Sequence, residues 1–108
     1  MPFSRLPPGL RNARRHERDV AASIGGRLTA MSGAGPEKGD VASQILVVEC
    51  KSTSRASFAI SPALMDRITS TAAQTSRRGV LHVRFVDASG RTLRQYGVVE
   101  ADLLEDLA

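Results

Sequence analysis

Asp40, Glu49 and Lys51 are the residues of this chain whose types and spacing best suit chemistry. In a strand through Ile45–Lys51, alternation sends Val47, Glu49 and Lys51 to one face and Leu46, Val48 and Cys50 to the other. Two charges thus emerge on one side at the end of an apolar strand, a costly arrangement near a core unless they are paired or bound to a metal. Asp40 precedes Glu49 by nine positions, and Ala42-Ser43-Gln44 is short and polar enough to turn the chain back. The fold-back brings two carboxylates and an ammonium to one point. Such oxygens suit a hard cation such as Mg²⁺, with Mn²⁺ as its substitute, and the ammonium can orient an attacking water. The plain alternative is a surface Glu49–Lys51 ion pair.

The stretch Ser32-Gly33-Ala34-Gly35-Pro36-Glu37-Lys38-Gly39-Asp40-Val41, followed by Val48-Glu49-Cys50-Lys51-Ser52-Thr53, resembles the active-site signature of the PD-(D/E)xK nuclease superfamily. Within it, the small Holliday-junction-resolvase-like endonucleases of archaea and phages are the most similar. Gly39 stands where the family's motif has proline, and Glu37-Lys38 lies within the loop. The resemblance implies that Asp40 and Glu49 hold the metal and that Lys51 positions the water. It further implies that Glu17 joins the site, that Ser32 assists, and that the main-chain carbonyl of Cys50 is a further ligand. It also implies a homodimer acting on branched double-stranded DNA. Alternatives stay open: an ion pair of Glu17 with Arg14 or Arg18, a plain turn serine at Ser32, another nuclease of the superfamily, or a catalytically silent DNA-binding domain.

Charge agrees with a polyanionic partner. The chain of 108 residues has a net charge of +4, with seven bases against three acids in residues 1–39 and eight against four in 40–99. The last nine residues hold four acids and no base, so the body is about +8. Arg14, Arg15, Lys38 and Arg55 are the expected phosphate contacts. Four aromatics, with no Trp, argue against a base-stacking platform. A single Cys excludes an internal disulfide and a cysteine zinc site, and it fits a cytoplasmic setting, the host's if the protein is viral. No apolar run approaches a membrane span.

The elements that must position these groups are legible in order. Residues 1–10, with three prolines, read as a flexible arm, and 11–108 as one domain. Asn12 to Ile24 is expected to be a helix capped by Asn12 and stopped by Gly25-Gly26, with Val20 and Ile24 buried and the arginines and His16 outward. Arg27–Met31 reads as a strand and Phe58–Ile60 as a brief one. A second helix opens at Ser61-Pro62 and closes at Arg77-Arg78-Gly79. Val80–Asp87 and Arg91–Val99 form a hairpin around Ala88-Ser89-Gly90, and Glu100–Leu107 is a short acidic helix with Leu103, Leu104 and Leu107 on one side. The expected fold is α/β (α+β in some schemes), a mixed sheet flanked by helices in the order α-β-β-β-α-β-β-α.

Overall fold

A computed structural model describes residues 8–29 and 40–108. Its elements are α1 (Pro8–Ile24), β1 (Arg27–Leu28), β2 (Val41–Ala42), β3 (Leu46–Thr53), α2 (Pro62–Ala73), β4 (Arg78–Val86), β5 (Thr92–Val98) and α3 (Ala101–Leu107). Among the described residues the five strands form one sheet in the order β1-β2-β3-β4-β5. β3 and β4 are parallel and the other pairs antiparallel, so the mixed α/β fold and its element order are as expected.

Alternation along β3 and β4 divides the core into two. On one face Val20 and Ala21 of α1 pack with Val41 and Val48, bordered by Leu46, Cys50 and Val80. On the other, Met65 and Ile68 of α2 pack with Leu81 and Val83, bordered by Phe58, Phe85 and Val98. Neighbours in sequence, Val80 and Leu81, thus serve opposite layers.

α1 begins at Pro8, four residues before the expected cap, so residues 8–10 belong to the helix and not to an arm. Proline suits a first turn because its missing N–H has no partner to lose. Asn12 instead accepts from Arg15 Nη2 at 2.7 Å and packs against the β4–β5 turn at Gly90. At the other end Gly25 is left-handed (φ 65°) and Gly26 N–H donates to Ala21 O at 2.8 Å, which satisfies a terminal carbonyl.

α2 is capped by Ser61, whose Oγ accepts from Leu64 N. It ends well before Arg77-Arg78, because Ser76 takes the left-handed conformation (φ 57°) and Arg77 N–H closes on Ala72 O. Arg78 therefore opens β4 and pairs with Asp102 and Asp106 of α3 at 3.0 and 2.6 Å. The run Phe58–Ile60 is not a strand. Both edges of β3 and of β4 are already taken, so the run cannot pair with the strands on either side of it in the chain; Phe58 packs on the α2 cluster and Ile60 is exposed. Strand β1 is only two exposed residues long, and the rest of the expected strand beyond Thr29 lies outside the described residues.

Candidate functional site

Asp40 sits at the entry to β2, where three main-chain and side-chain bonds fix it. Its N–H donates to Val48 O at 3.1 Å, and its carbonyl accepts from Thr29 N at 3.2 Å. Its Oδ2 accepts from Cys50 N at 2.8 Å. The carboxylate is thereby held against the peptide joining Glu49 to Cys50, which is the fold-back the sequence requires. N–H and C=O of one strand residue leave on the same side, so the Cys50 carbonyl also points toward Asp40.

Glu17, at the middle of α1, brings its carboxyl beside that of Asp40. Burial, then the charge of Asp40, raises its pKa, while Arg14 works in the opposite direction. Asp40 is also raised, first by burial and then by Glu49, against the Cys50 N–H, Lys51 and Arg67. Two carboxyls so close resist being ionised together and favour a shared proton or a cation between them.

Glu49 and Lys51 leave β3 on the α2 face. Lys51 Nζ lies 3.5 Å from Glu49 Oε1, with Glu49 16% exposed and Lys51 43%. Arg67 of α2, which the strand pattern alone did not indicate, grips Glu49 with both nitrogens. The ion pair raised as the plain reading of the sequence is thus present, and larger than expected. The Cys50 thiol faces α1 and burial pushes its pKa up to about 12, so it stays protonated.

Of the remaining expected site residues, Ser32 and Lys38 lie outside the described residues. Arg14 and Arg15 stand on α1, Arg14 half-buried near Glu17 and Arg15 exposed. Arg55 is exposed just beyond β3.

His16 is not an outward phosphate contact. It is 1% exposed, with Nδ1 3.1 Å from Ser52 Oγ and Nε2 2.7 Å from His82 Nδ1. Burial, then Arg84 and His82, lowers its pKa to about 4. The signal was available: His16, Val20 and Ile24 recur at spacing four, so His16 continues the buried stripe. Arg84, 6% exposed, is likewise buried, between Asp19 and Gln95.

The donor set suits a hard cation: the Glu17 and Asp40 carboxyls, both with raised pKa values, and the Cys50 main-chain oxygen on the Asp40 side of β3. Among the described residues no three His, Cys, Asp or Glu side chains already form a cage, since Glu49 is turned to Arg67 and Lys51. No described helix is long and apolar enough to cross a membrane. No protein-family model, curated protein or solved structure matches the chain.

Proposed function

We propose that the chain is a Mg²⁺-dependent endonuclease that hydrolyses DNA phosphodiesters at four-way junctions as a homodimer. The observation that carries this reading is the Glu17–Asp40 carboxyl pair, held by Cys50 N–H beside the strand bearing Glu49 and Lys51. Glu17, Asp40, the Cys50 carbonyl and a released Glu49 would hold the ion, which supplies charge stabilisation at phosphorus and a more acidic water. Lys51 orients the attacking water. Arg14, Arg15 and Arg55, with Lys38, hold flanking phosphates, so binding weakens steeply with salt. Symmetric cutting of a four-way junction calls for two sites on one two-fold assembly.

A second reading, a DNA-binding domain without catalysis, is favoured by the Arg67–Glu49–Lys51 ion pairing, which by itself neutralises Glu49. A cleavage assay on four-way, forked and linear duplex DNA, with Mg²⁺ and with EDTA, separates the two. Cutting by the wild-type chain that is lost in Asp40→Asn and Lys51→Ala, with junction binding retained, supports the enzyme. Binding without cutting in all three leaves the silent domain.

A further inference from the structure

Composition speaks against an aromatic platform, yet an exposed tyrosine rests on a partly buried phenylalanine at the edge of the core. Phe85 of β4 and Tyr96 of β5 meet edge to face, ring centres 6.0 Å apart at 78°. Tyr96 remains 54% exposed, and Leu93 beside it is also exposed. They line an open groove with Arg55 and Arg94, and among the described residues no acidic side chain lines it. Neither guanidinium meets a carboxylate among the described residues; Arg94 Nη1 donates only to the Leu93 carbonyl.

Two arginines beside an exposed ring match a phosphate backbone carrying an unstacked base. A second copy of the chain fits less well, because a two-fold contact here would gather four guanidiniums with no acid between them. A paired duplex fits less well too, since its bases are stacked on one another and offer no free ring face. Position agrees. Lys51 pairs with Val83 and Val83 with Tyr96, so Tyr96 shares the sheet face of Lys51. Arg55 lies four positions after Lys51, a span of at most about 14 Å, so a strand reaching Lys51 has a short path to the groove.

We propose that this groove binds an unpaired DNA strand, one base stacking on Tyr96 and its phosphates resting on Arg55 and Arg94. The choice of DNA rests on the nuclease reading above, and it adds to the four-way junction a segment unpaired at its branch point, next to the cut.

Tyr96 is the only tyrosine and there is no Trp, so tyrosine emission reports this residue alone. In EDTA, a short oligothymidylate should quench that emission, and a blunt hairpin duplex should not. Tyr96→Ala should weaken oligothymidylate binding about tenfold, and Tyr96→Phe should restore it, with duplex affinity and the thermal melt unchanged. Unaltered oligothymidylate affinity in Tyr96→Ala, read by anisotropy of a labelled strand, overturns the proposal. So does a change of oligomeric state on sedimentation, which would make the groove a contact between copies. Wild-type cleavage is scored separately. Cutting without quenching removes the groove alone, and quenching without cutting removes the nuclease reading alone.

Discussion

Arg67 reaches from α2 to both oxygens of Glu49, Nη2 to Oε1 and Nη1 to Oε2, each at 3.0 Å. A cation that uses Glu49 must compete with this fork. Arg67 is more than half exposed, and such a pair is worth up to about 1 kcal/mol. Arg67→Ala should therefore tighten Mg²⁺ binding by up to about fivefold, measured by calorimetry. Weaker binding in the variant would mean that the arginine holds Glu49 ready for the ion and does not compete with it.

The Glu17–Asp40 pair makes stability depend on pH and on metal. Both pKa values are raised above the ordinary 4.5 and 3.8. The folded state binds these protons more tightly, so their contribution is intact at pH below those ordinary values and is lost as pH rises through the folded ones. Asp40→Asn keeps an acceptor for Cys50 N–H and removes the like charge. Without metal at pH 7 it should melt above the wild type, each kcal/mol relieved being about 4–8 °C in a domain of this size. The gap should close on acidification. Mg²⁺ should raise the wild-type melting temperature and leave Asp40→Asn unmoved, and EDTA should reverse the rise.

How far the sequence predicts the site depends on where the bonds run. Alternation along 46–51 set Glu49 and Lys51 against Cys50, and the Ala42-Ser43-Gln44 turn delivered Asp40; Ser43 Oγ accepts from Leu46 N there. Those relations are local, so composition and spacing carry them. Arg67 and the His16–His82 contact join residues 18 and 66 positions apart. They depend on how each helix is laid on the sheet. The early start of α1 and the stop at Ser76 escaped for a different reason. Proline at a first turn is a favoured choice but was overshadowed by the cap residue Asn12, and serine at φ 57° is permitted but unusual, overshadowed by Gly79.

His16 contributes a pH dependence of opposite sign. Its folded pKa of about 4 lies below the ordinary 6.5, so its contribution is present above 6.5 and is lost as pH falls from there toward 4. His16→Gln should lose about 1–3 kcal/mol at neutral pH by disturbing the Ser52 and His82 bonds. Its stability should also fall less than that of the wild type between pH 6.5 and 4. Urea titrations across that range measure both. An equal slope in the two proteins would assign the proton uptake to another group.

Gly79 sets how closely α2 lies on the sheet, and so where Arg67 stands. A Cβ at Gly79 would come within 2.9 Å of Ile68 O and 3.0 Å of Thr69 Cα, both backbone atoms that cannot swing aside. At Gly97 the nearest atom would be Val80 Cγ1 at 3.9 Å, an ordinary contact. Gly79→Ala should therefore cost about 1–3 kcal/mol as the helix lifts, whereas Gly97→Ala should be neutral or stabilise by up to about 1 kcal/mol. Lifting α2 also draws Arg67 away from Glu49. The Gly79 variant should then share the altered Mg²⁺ affinity of Arg67→Ala, although position 79 touches neither partner of that ion pair. Destabilisation with unchanged Mg²⁺ affinity would show that Arg67 follows Glu49 by side-chain flexibility, independent of how the helix is seated.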